Sequence, residues 1–167
     1  MILFHGGTDS VSKPVVLTGD QGRDFGFAFY TTDIREQAER WALRRARYRS
    51  RLARTPVPAI ICEYDLDEAA LASLAVKRFS DPSLEWLDFV VANRSDLSFR
   101  HGFDLVIGKI ANDRVGETVS YVVAGVMRRE DAVERLRFQR INNQWAFCTE
   151  KALAHLKFLR SYEVRNV

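Results

Sequence analysis

The sequence predicts an α+β fold, since it contains short segments with strand periodicity and longer segments with helical spacing. Residues 25–30 alternate bulky aromatic and small side chains, a pattern typical of a short buried strand. Residues 59–66 and 103–111 are apolar runs of strand length. Apolar residues between 33 and 54 instead recur at helical spacing. We therefore expect strands and helices in one domain spanning residues 1–167.

The remaining elements follow from local signals in chain order. Strands are expected at residues 1–8, at 76–79, in the segment that opens near Asn142, and at 157–164. Asp67 is expected to cap a short helix that ends at Leu74, and a further helix begins at Asp81 with Pro82 in its first turn. Two more helices are expected, one ending near residue 125 and one from 130 to about 138.

The longest helix is expected from Asp33 to about Arg54. Thr32 or Asp33 is a suitable N-cap, and Glu36 follows Asp33 at the spacing of a capping box. An Arg on the apolar side of this helix would need a carboxylate or phosphate partner if it were buried. The predicted apolar side consists of Ala38, Trp41, Arg45, Tyr48 and Leu52.

Composition limits the class of protein. Hydrophobic residues make up 47% and charged residues 28% of the chain, which fits a globular domain and argues against disorder. Cys62 and Cys148 lie in apolar runs and are expected to be reduced thiols. No His, Cys or acidic cluster has the spacing of metal ligands. The sequence shows no membrane span and no signal peptide, so the cytoplasm is the expected compartment.

Two segments have the character of a binding site. Tyr30 and Trp41 could hold a flat cationic ring by stacking and cation–π attraction, each contact worth roughly 1 kcal/mol, although both could equally be core residues. The first strand runs into His5 and Gly6. An imidazole can donate from one nitrogen and accept at the other, and glycine leaves the backbone uncovered.

These segments resemble the nicotinamide-binding core of ADP-ribosyltransferases, in the branch of poly(ADP-ribose) polymerases and diphtheria toxin. The matching motifs are His5-Gly6, residues 26–30 with Trp41 on the following helix, and residues 143–147, in the order that the family shows. The resemblance implies split mixed β-sheets with surrounding helices, and NAD as the substrate. The same runs are similar to uncharacterised bacterial domains found as toxins beside small antitoxin genes.

The resemblance also implies roles for the matching residues. His5 would bond a ribose hydroxyl, Gly6 would present its backbone to the carboxamide of nicotinamide, and aromatic rings would stack on nicotinamide. Arg23 and Asp24 could line the pyrophosphate and ribose of NAD, and solvated turn charges are the alternative. The expected catalytic residues are His5, Tyr30 and Gln144, and the expected NAD-binding residues are His5, Gly6, Arg23, Tyr30, Thr31, Trp41 and Gln144.

Gln144 is the main departure from the family pattern, because it stands where the family has its catalytic Glu. The reaction passes through a cationic, oxocarbenium-like transition state that a carboxylate stabilises. Gln144 can accept the same hydrogen bond without a full negative charge. Glu150 could supply the carboxylate, although a first-turn acid of a helix is the alternative. Asn112 and Asp113 could shape the pocket or cap the next helix.

Five arginines form a stripe along the long helix and are candidates for contact with a partner. Their guanidinium groups suit the phosphates of RNA or DNA, or an acidic partner such as an antitoxin, and a solvated helix face is the alternative. The stripe consists of Arg40, Arg44, Arg47, Arg51 and Arg54.

The sequence thus predicts an NAD-dependent mono-ADP-ribosyltransferase that acts on a macromolecular target, as a bacterial toxin effector. Three further readings stay open. The chain could be an inactive relative that binds nucleic acid or a partner through the arginine stripe, or an NAD hydrolase that labels no macromolecule. It could also be a phosphate-removing transferase of the same fold that acts on RNA.

Overall fold

Two β-sheets, one of three strands and one of four, form the centre of the protein in the computed structural model. The structure describes residues 1–19, 23–111, 114–137 and 141–164. The strands are β1 (Ile2–Gly7), β2 (Phe29–Thr31), β3 (Ile60–Leu66), β4 (Val76–Phe79), β5 (Leu105–Ala111), β6 (Ile141–Phe147) and β7 (Leu156–Glu163). The helices are α1 (Arg35–Ala53), α2 (Leu84–Ser95), α3 (Arg114–Val123), α4 (Arg129–Arg137) and α5 (Glu150–Leu153), with a 3₁₀ helix at Glu68–Ser73. The predicted α+β class is confirmed.

The two sheets differ in strand direction. The three-stranded sheet has the order β1-β3-β7 and is antiparallel throughout. The four-stranded sheet has the order β2-β6-β5-β4, and it is mixed because β4 runs parallel to β5. One isolated bridge, between Phe4 of β1 and Thr32 just after β2, joins the edges of the two sheets.

Three apolar clusters explain how the layers hold together. Leu3 and Tyr64 of the three-stranded sheet pack with Phe29, Trp145 and other residues of the four-stranded sheet, so the sheets face each other. The opposite face of the four-stranded sheet is covered by residues of α2, α3 and α4. The opposite face of the three-stranded sheet is covered by α1. Burial of both faces of each sheet supplies the main stabilising free energy.

The buried side of α1 differs from the predicted one. Ala38, Ala42 and Ala46 face the three-stranded sheet, whereas Trp41, Tyr48 and Leu52 are 47%, 57% and 68% exposed. Arg45 is exposed as well, so it needs no buried partner. Small alanine side chains let the helix approach the sheet closely, and this contact overrides the larger apolar residues that the helical spacing favoured.

Most local boundaries match the prediction, with a few corrections. β2 is shorter than expected because residues 24–27 form a turn and a bend, in which Gly26 has φ of 79°. The N-cap of α1 is Ile34, and Thr32 Oγ1 accepts from the Ile34 N–H at 3.1 Å. The α2 helix begins after its N-cap Ser83, whose side chain accepts a hydrogen bond from the Trp86 N–H, so Pro82 lies before the helix. Asp67 caps the 3₁₀ helix as predicted, and both cysteines are free thiols, as expected.

Gly6 is the closest contact between β1 and α1. A Cβ at this position would lie 2.2 Å from the Ala38 carbonyl oxygen and 3.1 Å from the Ala42 nitrogen, both of which are backbone atoms. Any side chain would therefore push the helix away from the sheet. We predict that Gly6→Ala lowers the free energy of unfolding by about 1–3 kcal/mol through overpacking.

Urea denaturation followed by tryptophan fluorescence measures this loss. Gly19→Ala is the matched control, because nothing lies within 4 Å of the Cβ it would add. Equal stabilities of the two variants would contradict the close approach.

Candidate functional site

The edge-to-edge pairing of β1 and β2 stops after a single pair of hydrogen bonds. The Phe4 N–H donates to the Thr32 carbonyl at 2.8 Å, and the Thr32 N–H donates to the Phe4 carbonyl at 2.9 Å. In an antiparallel ladder the next bonded pair would be Gly6 with Tyr30. Instead, the His5 imidazole uses the Tyr30 carbonyl, with 2.7 Å between Nδ1 and the oxygen. We call the opening beyond this point the split.

The split leaves main-chain polar groups facing outward. The N–H and carbonyl of Phe4 point away from β3. Backbone polar groups alternate in direction along a strand, so those of Gly6, two residues later, point the same way. Within the described part of the chain, no hydrogen bond outside the strand pairs reaches either Gly6 group. The Tyr30 N–H faces the same opening. A donor and an acceptor side by side at Gly6 match the acceptor and donor of a carboxamide.

The hydrogen bond fixes the tautomer of His5. A carbonyl oxygen only accepts, so Nδ1 carries the proton and Nε2 is an acceptor in the neutral ring. Burial lowers the pKa of His5 below its usual value, the bond to Tyr30 opposes this change, and the positive charge of Arg23 lowers the pKa further. The ring also stacks on Phe29, with centroids 4.6 Å apart. His5 is therefore a positioned, neutral hydrogen-bond acceptor.

Gly7 leaves the free nitrogen of His5 uncovered. A Cβ at residue 7 would lie 3.4 Å from His5 Nε2, in van der Waals contact with this nitrogen. The glycine therefore keeps the acceptor side of the imidazole open, which the sequence reasoning did not assign to it. The repeated glycine after His5 was the available signal.

The Tyr30 side chain lies beside the split. Its hydroxyl donates to the Gly26 carbonyl at 2.5 Å, and burial is the main cause that raises its pKa well above the ordinary value. The Arg23 guanidinium carbon lies 5.8 Å from the centre of the ring. The hydroxyl is thus protonated and hydrogen-bonded. Tyr30 can offer its ring for packing, but its hydroxyl is not available for proton transfer.

Gln144 lies on the same face of the four-stranded sheet as Tyr30. Tyr30 pairs with Ala146, and Gln144 is two residues from Ala146 along β6, so the three side chains share a face. The Gln144 Oε1 atom is buried and has no hydrogen-bond partner in the described protein. Because an unsatisfied buried polar group costs about 1–3 kcal/mol, this oxygen indicates a missing partner.

The first turn of α1 is tied to the residue before Gln144. Asn143 Nδ2 donates to both carboxylate oxygens of Asp33, and the Gln37 side chain exchanges two hydrogen bonds with the Asn143 backbone at 2.9 and 3.1 Å. Trp41 follows Gln37 by one helical turn and lies on the same side of the helix. This link, which sequence reasoning missed, fixes β6 against the start of α1.

The other expected NAD-binding residues are placed differently. Arg23 is exposed, and its guanidinium group lies over the Tyr30 ring. Trp41 is also exposed, with Arg44 5.8 Å from its ring centre, and it makes no described ring contact with Tyr30. Thr31 is 4% exposed, and its hydroxyl donates to the Trp145 carbonyl at 3.4 Å. Thr31 therefore supports the strand pairing and does not face the split.

Glu150 and Asp113 complete the set of residues named from the sequence. Glu150 is an exposed acid in the first turn of α5, whose N-cap is Thr149, as the alternative reading predicted. Asn112 and Asp113 lie outside the described residues. Across the described ranges, no group of three or more His, Cys, Asp or Glu side chains is placed to hold a metal ion.

A cavity of about 300 Å³ adjoins the site through Arg23 and Gly26. Its wall includes the rings of Phe27, Phe99 and Phe103 and the guanidinium group of Arg100, which lies 5.0 Å from the Phe27 ring centre. Aromatic faces and guanidinium groups together suit a planar base with an anionic substituent. The sequence reasoning missed this cavity, because its lining comes from separate loops.

A comparison with protein families identifies the family of the chain. Residues 1–158 match the family DUF3990, described as a protein of unknown function, so the chain belongs to this family. No curated protein and no solved structure matches the chain. Of the helices that the structure describes, none has the length and apolar character needed to cross a membrane.

Two of the three partly buried histidines, His5 and His101, provide a test of the site geometry. His5 Nδ1 donates to a carbonyl, whereas His101 Nδ1 accepts from the Phe103 N–H at 3.1 Å and Nε2 faces the Phe25 carbonyl at 3.3 Å. We predict that at pH 7 His5 is the Nδ1–H tautomer and His101 the Nε2–H tautomer. Long-range ¹H–¹⁵N correlation spectra distinguish these forms, with His5→Gln and His101→Gln spectra for assignment.

Acid titration extends this prediction. Burial lowers the folded-state pKa of both His5 and His101 below the ordinary value of 6.5. As the pH falls, the two imidazoles are therefore protonated in the unfolded chain before they are protonated in the folded protein. Their contribution to the free energy of unfolding is present above about pH 6.5 and decreases as the pH falls below it. A midpoint for His5 above 6.5 would contradict the burial of its imidazole, and the Nε2–H tautomer would contradict the described hydrogen bond.

Proposed function

We propose that the protein is an NAD-dependent mono-ADP-ribosyltransferase with an ADP-ribosyltransferase-like fold, acting on a macromolecular acceptor as a toxin effector. The observation that carries this proposal is the split, where His5 uses the Tyr30 carbonyl and leaves the Gly6 N–H and carbonyl without ladder partners. The two sheets with helices on their outer faces support the fold assignment. The resemblance of the His5, Tyr30 and Gln144 motifs supports the choice of substrate.

The residues at the split fit the parts of NAD. The Gly6 N–H and carbonyl would pair with the carboxamide, and the Tyr30 ring would lie against nicotinamide. His5 Nε2, on the side that Gly7 leaves uncovered, would accept a hydrogen bond from a ribose hydroxyl. Arg23 would lie near the pyrophosphate, and the adjoining aromatic cavity would take the adenylate half. The unpartnered Gln144 Oε1 would accept a hydrogen bond from the ribose.

Transfer requires breaking the bond between nicotinamide and C1′ of the ribose. Nicotinamide leaves with the bonding electrons, an oxygen or nitrogen of the acceptor bonds to C1′, and the acceptor loses a proton. Gln144 and His5 would hold the ribose hydroxyls while positive charge develops on the sugar. Since both groups are neutral, they stabilise this charge as dipoles. We therefore propose slow transfer of single ADP-ribose units and not chain elongation.

An NAD glycohydrolase is the second candidate, because the same residues would act with water as the acceptor. The two functions separate in one experiment. NAD labelled on its adenylate half is incubated with the protein in a bacterial lysate, with and without nuclease. Label on macromolecules supports the transferase, and free nicotinamide without label supports the hydrolase. If neither product forms at any protein concentration, both catalytic proposals fail.

Substitutions at Gln144 test its role directly. We predict that Gln144→Ala slows nicotinamide release about tenfold or more, a loss of roughly 1.4 kcal/mol of transition-state stabilisation. Gln144→Glu should instead raise the rate, because a full negative charge stabilises the cationic sugar better than a dipole. The rate is measured from free nicotinamide by chromatography, and thermal unfolding of each variant excludes loss of fold as the cause.

Gly7→Ala provides a second test from the opposite side of the site. The added Cβ would lie 3.4 Å from His5 Nε2, so we predict a higher KM for NAD and slower nicotinamide release. Gly19→Ala carries the same chemical change where nothing lies within 4 Å, and it should behave as the wild type. If the Gly7 variant retained full activity, His5 Nε2 would not be the ribose contact.

A further inference from the structure

The outward side of α1 carries an apolar ridge that no described part of the chain covers. Trp41, Tyr48 and Leu52 are 47%, 57% and 68% exposed. Spacings of seven and eleven residues are close to whole helical turns, so the three side chains line up over about 16 Å. We call this row the α1 ridge. A row of large exposed apolar side chains is a candidate interaction surface.

Arginines flank the α1 ridge on both sides. Arg45 lies along one side, and the other side carries Arg40, Arg44, Arg47 and Arg51 of the stripe, all of them exposed. Arg54, the last member, lies just past the helix as its C-cap, with φ of 55°, and is exposed as well. Residues 35–54 contain eight arginines and two glutamates, a formal charge of +6, whereas the whole chain has +3. The positive charge of the protein is thus concentrated on this helix. Such a field attracts an anionic partner.

We propose that the α1 ridge and its arginine stripe bind single-stranded nucleic acid. Phosphates would pair with the arginines, and unpaired bases would stack on Trp41 and Tyr48. Arg44 already lies 5.8 Å from the Trp41 ring centre, so guanidinium and aromatic groups are interleaved along the ridge. This binding does not depend on the proposed NAD chemistry. If that chemistry occurs, the ridge identifies the acceptor class.

The composition of the α1 ridge favours a single strand over other anionic partners. Arg45 flanks the row at a height between Trp41 and Tyr48, so a partner helix packed on the α1 ridge would have to bury it. A buried charge without a partner is costly. A nucleic acid duplex covers the faces of its bases, so exposed aromatic rings would gain nothing from it. A single strand offers both phosphates and uncovered bases.

The test measures binding of fluorescein-labelled single strands of about 20 nucleotides, long enough to span the site sizes of such proteins, by fluorescence anisotropy. DNA and RNA strands without secondary structure are used, beside the matching duplex and vesicles containing phosphatidylserine. We expect single strands to bind more tightly than the duplex. With five phosphate contacts, log K should fall with log salt with a slope of about −3.5.

Variants on exposed positions separate the two parts of the surface. Arg47→Glu, Arg51→Glu and Arg54→Glu combined should reduce the salt slope by about 2. Tyr48→Ala should weaken binding about fivefold or more, while Tyr48→Phe, which keeps the ring, should bind as the wild type. Lys13→Glu with Lys157→Glu changes charge at exposed positions outside α1 and should have a much smaller effect.

Two results would overturn the proposal. One is binding of vesicles, or of duplex, with no preference for single strands. The other is single-strand binding that all α1 variants leave unchanged. Nicotinamide release by the same variants is assayed without any nucleic acid, so failure of the NAD chemistry and failure of the α1 ridge are told apart.

Discussion

The hydrogen bond from His5 to the Tyr30 carbonyl controls the arrangement of the site. Without it, Gly6 and Tyr30 would be the next bonded pair of a ladder that begins at Phe4 and Thr32, and the two sheets would join along their edges. With it, the ladder ends and two strands separate next to a neutral imidazole. One contact therefore creates the opening, orients the imidazole and leaves the Gly6 backbone groups available.

The glycines after His5 satisfy two different constraints. Gly6 is required by packing, because a Cβ would meet the α1 backbone, whose alanine face lies directly on β1. Gly7 is free of that contact, and a Cβ there would instead crowd His5 Nε2. The pair therefore couples close helix packing to an open acceptor. A ligand that reaches Gly6 along the sheet edge meets the backbone of β1 and the ring nitrogen together.

Sequence reasoning predicted the parts of this structure that depend on local chemistry. The strand periods, the Asp67 cap, the free cysteines and the order of elements follow from neighbouring residues. The buried face of α1 was wrong, because large apolar residues were favoured where close packing on Gly6 requires alanines. Contacts between distant segments were also beyond prediction, since the Gln37–Asn143 pair and the aromatic cavity depend on how the sheets meet.

The charges near the split explain why the neutral Gln144 is compatible with the proposed chemistry. Asp24 is a carboxylate that raises the pKa of Tyr30, yet its Oδ1 lies 2.6 Å from the Arg94 guanidinium, which offsets its charge. Arg23 adds a positive charge that suits a pyrophosphate but opposes a cationic sugar. A developing cation would then depend on the dipoles of Gln144 and Gly6 and on the Tyr30 ring. Under the proposed function, such a site would bind NAD more readily than it would ionise the sugar, which would favour a slow reaction.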